Sequence, residues 1–207
     1  MYSEAVVTVA RIEGSDKSNE TGIACGNIAE SYGKIGNVKN VQSAVATLCP
    51  DKSWKSVALS AAIRELARLG DVNGAQLLQS KLDGQNDTDG PIAVALARNR
   101  AYEVAAAKAR GILNEAIRSD AVRRMASLTP PPRIIMAWLE DTRTFKHDDD
   151  RAAAIQVLTA ALARSNNAAD AMRWLEPHPS DLAKARGYLG IAQGLQGIVP
   201  GTSPPGE

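Results

Sequence analysis

The apolar residues of this chain recur at the spacing of amphipathic helices. Leu59, Ile63 and Leu66 lie three or four residues apart, which places them on one face of a helix. Gly70 follows this run, and glycine suits the left-handed position that ends many helices. Asp71 comes next, and its side chain can cap the start of another helix. The pattern therefore predicts a helical hairpin whose turn lies at Gly70.

The hairpin pattern recurs along the chain. The stretch "ESYGKIGNVKNVQSAVATL" (30–48) aligns with "RELARLGDVNGAQLLQSKL" (64–82), so that Gly36 falls on the glycine of the second turn. Weaker copies occupy 97–112 and 163–175. Similar segments roughly 30 to 40 residues apart are typical of stacked helical hairpins. We therefore expect an all-α fold made of such hairpins.

Capping chemistry predicts where further helices begin. Pro91 suits the first turn of a helix, the Ser-Asp pair at 119–120 can cap one, and the aspartates at 148–150 favour a helix N-terminus. The prolines of "TPPP" at 129–132 break the chain. We expect about twelve helices. Only "VVTV" at 6–9 admits a β-strand as an alternative.

The turns resemble those of the tetratricopeptide repeat, a family whose units of about 34 residues are helix-turn-helix hairpins. The family's turn reads G-D-Y-x-x-A, and the second hairpin has Val in place of Tyr. The matching residues are Gly70, Asp71, Val72 and Ala75, with Tyr32 and Leu66 at its large position four places before the glycine. The resemblance implies a right-handed superhelical stack of antiparallel hairpins. It also implies a non-enzymatic interaction or scaffold module that binds peptides or protein segments in a concave groove.

Composition supports close-packed helices and limits the partners. Hydrophobic residues make up 44% of the chain and aromatic residues only 4%. Alanine, the best helix former, supplies much of the apolar content. The 24 basic and 23 acidic side chains leave a formal net charge of +1. No field of one sign therefore draws the whole chain to nucleic acid or to an anionic membrane.

The chain is expected to form one helical-repeat domain over 1–197, followed by a disordered tail over 198–207 that is rich in Pro and Gly. No stretch has the pattern of a signal peptide or of a transmembrane helix. The segment 98–124 holds seven basic and three acidic residues but a single aromatic one, so it lacks a stacking platform for nucleic acid. We expect protein or peptide partners, no membrane insertion and, by default, a cytoplasmic location.

One basic residue stands two places before each predicted turn, and we call this set the basic ladder. Its members are Lys34, Arg68, Arg98 and Arg164. Cations suit helix C-termini because they interact favourably with the helix dipole, and this interpretation requires no ligand. The functional alternative is a groove that binds acidic side chains or a C-terminal carboxylate.

The two cysteines, Cys25 and Cys49, flank Gly36 at similar distances along the chain, one before the turn and one after it. In an antiparallel hairpin these distances bring both cysteines to the same open end, so a disulfide is sterically possible. Two buried free thiols are the alternative. A disulfide would indicate an oxidising, exported compartment in place of the cytoplasm.

The last predicted helix carries glycines at spacings of three and four residues. Gly187, Gly190, Gly194 and Gly197 share one face. Because each glycine weakens a helix, we expect another backbone to approach closely, with the helix at 168–175 as the neighbour. Another side of the same helix presents apolar residues that are candidates for a partner or subunit contact in a homo-oligomer. They are Tyr188, Ile191 and Leu195.

No catalytic motif, cofactor motif or metal-binding motif is found in the sequence. An enzyme or effector with a site in the irregular segment 129–150 is the alternative function, and Glu140, Asp141 and His147 are its candidate residues. A metal at the aspartates beside His147 is not expected, since helix capping explains them. A regulatory piece of a longer protein is a further alternative.

Overall fold

The structure is a computed structural model, and it describes residues 17–82 and 88–200. Every regular element in these residues is an α-helix, and they contain no strand. The expectation of an all-α fold is therefore confirmed for the described part of the chain. The candidate strand at 6–9 and most of the predicted tail lie outside it.

Eleven helices occupy the described residues. They are α1 (Lys17–Lys34), α2 (Val38–Leu48), α3 (Lys52–Leu69), α4 (Val72–Gln79), α5 (Asp89–Arg98), α6 (Tyr102–Arg110), α7 (Glu115–Ala126), α8 (Pro132–Thr142), α9 (Asp148–Arg164), α10 (Ala168–Leu175) and α11 (Asp181–Leu195). The chain divides into two compact units, 1–95 and 96–207. A single domain over 1–197 remains a prediction.

In the first unit, the helices α1 to α4 pack in sequence. α1 contacts α2 and packs more extensively on α3, while α2 also contacts α3 and α4, and α3 contacts α4. Ile63, Leu66 and Leu78 are fully buried. Gly33 permits the close approach of α1 to α3, since a Cβ atom there would lie 2.9 Å from the carbonyl oxygen of Ala62. The apolar face predicted for the second hairpin is the core of this unit.

In the second unit, α9 is the central helix. It packs most extensively on α11 and also contacts α7, α8 and α10. Its side chains Ile155, Leu158 and Leu162 are fully buried. On α8, Trp138 and Leu139 are buried as well. The helices on either side of α9 are thus held by one apolar core.

A residue with left-handed backbone follows six of the helices in the described part of the chain. Left-handed backbone is found at Gly36 (φ 70°), Gly70 (φ 84°), Arg100 (φ 61°), Thr129 (φ 52°), Asn166 (φ 62°) and Gly197 (φ 75°). Successive members of this set are separated by nearly the interval that repeated helical hairpins require. The N–H groups of Asp71 and Asn167 each donate to a carbonyl five residues earlier, at 2.9 Å. This bond is the signature of the Schellman ending. The ending at Thr129 lacks it, because the next residue, Pro130, has no N–H to donate.

Side-chain caps begin several of the helices. Asp71 Oδ1 accepts a hydrogen bond from the N–H of Gly74 at 2.8 Å, as the sequence predicts for the start of α4. The cap predicted at 119–120 is wrong. Asn114 caps α7 instead, because Asn is as good a cap as Ser and lies earlier in the chain. Ser119 lies inside α7, is buried, and donates to the Asp150 carbonyl at 3.0 Å.

Candidate binding groove

A surface groove crosses α7, α9 and α11 in the second unit, with a volume of about 560 Å³. This lies within the range of roughly 300–1,000 Å³ that is common for ligand sites. Its lining residues are Arg123 from α7; Asp149, Ala152, Ala153, Gln156 and Val157 from α9; Leu182 and Arg186 from α11; and Pro200. We call it the α7–α9–α11 groove.

Glycines bring α11 close enough to α9 to form one side of the groove. A Cβ atom on Gly190 would lie against the backbone of Gln156, 2.9 Å from its carbonyl carbon. A Cβ atom on Gly194 would meet the Ala160 backbone in the same way. The Thr159 hydroxyl adds a hydrogen bond across the contact, to the carbonyl of Gly187 at 3.0 Å. The groove therefore depends on glycine at the α9–α11 contact.

The neighbour expected for the glycine face requires a correction. Only Gly187 faces the predicted helix α10, where its nearest neighbour is the Leu175 side chain. Gly190 and Gly194 face α9. Gly197 lies beyond the end of α11 with φ 75° and nothing within 4 Å of an added Cβ. The spacing indicates a close helix contact but does not say which helix makes it.

Polar side chains are organised around Gln156 in the groove. Its Nε2 donates to Gln193 Oε1 at 2.8 Å, and its Oε1 accepts from Arg186 Nη1 at 3.3 Å. These bonds hold the Arg186 guanidinium over α9. Arg123 is half-buried, and its guanidinium forms no ion pair with a described residue. Asp149 is the one carboxylate among the described residues that line the groove.

The groove also has an apolar strip. Ala152 and Val157 are buried beneath it, and Leu182 is 41% exposed at its edge. Two guanidinium groups therefore lie beside apolar side chains in one concave surface. Such a surface suits a ligand that carries both acidic and apolar side chains.

The basic ladder lies outside this groove. In the first unit, Lys34 Nζ pairs with Glu30 at 2.6 Å and Arg68 Nε with Glu65 at 2.8 Å. The hydrogen bond and charge of Glu30 raise the pKa of Lys34. In the second unit, Arg164 Nη1 donates to the carbonyl of Ile198 at 3.1 Å.

Arg98, the remaining member of the ladder, lines a separate cleft of the second unit. Sequence reasoning missed Arg123 and Arg186 as a pair: it counted Arg123 only within the basic segment 98–124 and otherwise considered cations near the turns. The number of residues from Arg123 to Gln156, and from Gln156 to Arg186, is close to the number that separates successive turns. This spacing was the signal available for finding them.

The two cysteines form a disulfide pair in the first unit. Cys25 lies in α1 and Cys49 directly follows α2, with their Cα atoms 5.4 Å apart. This separation lies within the range of roughly 4.4–6.8 Å that disulfides require. Both residues are buried. The bond ties the middle of α1 to the C-terminal end of α2, away from the turn at Gly36.

The apolar residues predicted to meet a partner divide into two sets. Tyr188 is 46% exposed and Leu195 is 67% exposed. Ile191, however, is only 5% exposed, because it faces the interior of the second unit. Ile191 therefore belongs to the core and is not available to a partner.

The candidate residues of the enzyme hypothesis have separate structural partners. Glu140 Oε1 accepts a hydrogen bond from Trp174 Nε1 at 2.5 Å, and Asp141 pairs with Arg110 at 2.9 Å. The His147 backbone N–H donates to Glu115 at 2.8 Å. The cavity beside Asp141 has a volume of about 10 Å³, room for about one water molecule. Among residues 17–82 and 88–200, no group of three or more His, Cys, Asp or Glu side chains is arranged to hold a metal ion.

The loop that leads into α11 contains a buried histidine. The Nδ1 atom of His178 accepts a hydrogen bond from the N–H of Ser180 at 3.2 Å. Burial lowers the pKa of His178, because the charged ring loses its hydration. The positive charges of Arg143, Arg151 and Lys184 act in the same direction. The folded protein therefore favours the neutral form of this ring.

Acidification below pH 6.5 is expected to destabilise the second unit through His178. In the unfolded chain the ring binds a proton near its ordinary pKa of 6.5, whereas the folded protein resists protonation until the pH is lower. The contribution of His178 to stability is therefore complete above pH 6.5 and is lost as the pH decreases below it. The melting temperature between about pH 7.5 and pH 5 measures the effect. His178→Gln should flatten the dependence, and an unchanged slope in this variant would contradict the prediction.

The helices and the groove define an all-helical protein with a concave surface that is both basic and apolar. Comparisons with protein families, with curated proteins and with solved structures found no match for this chain. None of the helices in the described residues has the length and apolar character that a membrane span requires.

Proposed function

We propose that the protein is a non-enzymatic binding module that holds an acidic segment of another protein in the α7–α9–α11 groove. One observation supports this most directly. The groove places the guanidinium groups of Arg123 and Arg186 beside an apolar strip that ends at Leu182. A peptide with an acidic residue near an apolar one would satisfy both parts.

The proposed architecture is a tetratricopeptide-like stack of hairpins. Within each unit, helices contact their next or second-next neighbours along the chain, which is the pairing that such a stack requires. The left-handed helix endings, which recur at similar intervals, support the same repeat. In this arrangement α7, α9 and α11 are the first helices of successive hairpins, and their exposed faces form the groove.

Recognition would depend on charge and on apolar contact together. A guanidinium binds a carboxylate through two parallel hydrogen bonds, which gives direction as well as affinity. Arg186 is already oriented by Gln156, so less side-chain freedom is lost when a ligand binds. Arg123 is half-buried in the groove wall, where water screens its charge less than at an open surface.

Selection from a display library of random peptides tests this function. Acidic peptides with neighbouring apolar residues should be enriched, and their affinity should fall as salt is raised. Arg123→Glu together with Arg186→Glu should weaken binding by at least about tenfold, because two attractive contacts become repulsive. The matched control is Arg173→Glu. The Arg173 side chain is 76% exposed outside the groove, so the change should leave affinity within about twofold. Enrichment of peptides without acidic residues, or equal binding by the double variant, would reject the proposal.

A further inference from the structure

A second cleft of the second unit lies between the α5–α6 turn and the α7–α8 loop. Its volume is about 470 Å³. The residues that line it are Ala97, Arg98, Arg100, Tyr102, Leu128, Thr129 and Pro131. It shares none of these residues with the α7–α9–α11 groove. We call it the turn cleft.

Two lining residues of the turn cleft have unfavourable backbone conformations. Arg100 has φ 61° and Thr129 has φ 52°, in the left-handed region that glycine adopts most easily. At most of the equivalent helix endings the residue is Gly or Asn, both of which tolerate this region. Threonine is β-branched and tolerates it poorly. Strained residues of this kind are retained most often at functional sites.

The walls of the turn cleft are rigid. Thr129 is followed by three consecutive prolines, whose rings fix the backbone of the α7–α8 loop. On the other side, the N–H groups of Arg100 and Ala101 donate to carbonyls at the end of α5, at 2.9 and 3.0 Å. The Tyr102 ring contacts Trp138 edge-on, with ring centroids 6.3 Å apart. The backbone of such a site and the Tyr102 ring lose little freedom when a ligand binds.

The charged residues that line the turn cleft are all basic. Arg98 and Arg100 contribute guanidinium groups, and no carboxylate is present among the seven lining residues. Glu103 is near in sequence but is not a lining residue, and it pairs with Arg133 at 3.3 Å. The polar side of the cleft therefore offers hydrogen-bond donors to an anion, while Leu128 and Pro131 form an apolar side.

We propose that the turn cleft binds an organic oxyanion, a phosphate or carboxylate group attached to a small apolar body. The Arg100 guanidinium and the Tyr102 hydroxyl bind the oxyanion. Leu128 and Pro131 pack against the apolar body. Arg100 supplies a cation at a left-handed position that glycine would occupy more easily, and glycine would provide no charge there.

Titration of the isotope-labelled protein, followed by nuclear magnetic resonance, tests the turn cleft. The probes are phenyl phosphate, benzoate, inorganic phosphate and the uncharged benzyl alcohol. Saturable shifts of the amide signals of 97–102 and 128–129 are expected with phenyl phosphate and benzoate. The tighter of these two identifies the preferred oxyanion. Inorganic phosphate should bind more weakly because it lacks the apolar body. Benzyl alcohol should also bind more weakly, because it carries no negative charge to pair with Arg100.

Arg100→Gly separates the charge of this residue from its backbone conformation. Glycine suits φ 61°, so this variant should fold and melt at a higher temperature than the original protein. Its affinity for the tighter probe should nevertheless fall about tenfold, because a charge-assisted contact is lost. Arg133→Gln, which changes an exposed cation outside the lining, should bind as the original protein does. Unchanged affinity in Arg100→Gly, equal binding of benzyl alcohol, or no saturable shifts would overturn the proposal.

Discussion

Gly190→Ala is expected to lower the free energy of unfolding of the second unit by about 2 kcal/mol or more. The added Cβ would meet the backbone of Gln156, with that residue's carbonyl carbon only 2.9 Å away. Backbone atoms inside α9 cannot move aside as a flexible side chain can. Alanine also favours the helix by up to about 1 kcal/mol, but this gain is smaller than the cost of overpacking. Denaturant unfolding followed by tryptophan fluorescence measures the change, with Trp138 and Trp174 as reporters of the second unit and Trp54 of the first.

Gly26→Ala is the matched control for this prediction. Gly26 also lies within a helix, α1, but an added Cβ would have nothing within 4 Å. The substitution should therefore stabilise the first unit by roughly 0.5–1 kcal/mol, through the helix propensity of alanine alone. The free energy of unfolding should therefore fall in Gly190→Ala and rise in Gly26→Ala. A Gly190→Ala protein as stable as the original would mean that α9 and α11 do not lie this close.

The glycine face shows how far the sequence could predict the fold. The spacings of three and four residues correctly indicate that Gly187, Gly190 and Gly194 lie on helix surfaces that neighbouring helices approach closely. The choice between α9 and α10 as neighbour could not be made, because a helix pattern carries no information about which distant segment packs against it. The buried position of Ile191 was missed for the same reason.

The recurring turns could be predicted in part. The turns at Gly36 and Gly70 can be predicted because glycine is the usual residue for a left-handed position. Arg100 and Thr129 occupy the same backbone conformation with residues that disfavour it, so local propensity alone points away from them. Only the alignment of 97–112 with the second hairpin indicated a turn at Arg100. The turn at Thr129 gave no such signal beyond the prolines that follow it.

The candidate groove was the least predictable feature. Arg123 and Arg186 lie within helices, where a sequence pattern does not distinguish a groove wall from any solvated face. Their convergence depends on how closely α11 approaches α9, and hence on contacts distant in sequence. The basic ladder was easier to find because it is tied to the turns, yet its members Lys34 and Arg68 pair with glutamates of their own helices.

Reduction of the Cys25–Cys49 disulfide is expected to lower the free energy of unfolding of the first unit by about 3 kcal/mol. The bond joins residues 24 positions apart, so it removes much of the freedom of that loop in the unfolded chain. In the folded protein the two buried sulfur atoms would remain as small apolar thiols, with little change in packing. The loss therefore arises mainly from the unfolded state.

Denaturant unfolding with and without reductant measures this loss, and thiol titration of the unfolded, unreduced protein should find no free thiol. The double variant Cys25→Ala with Cys49→Ala is the matched control, since reductant should not change its stability. The second unit contains no cysteine, so its unfolding transition should also be insensitive to reductant. Two free thiols, or equal stability in both conditions, would refute the bond. A confirmed bond would favour an oxidising compartment, where such disulfides persist.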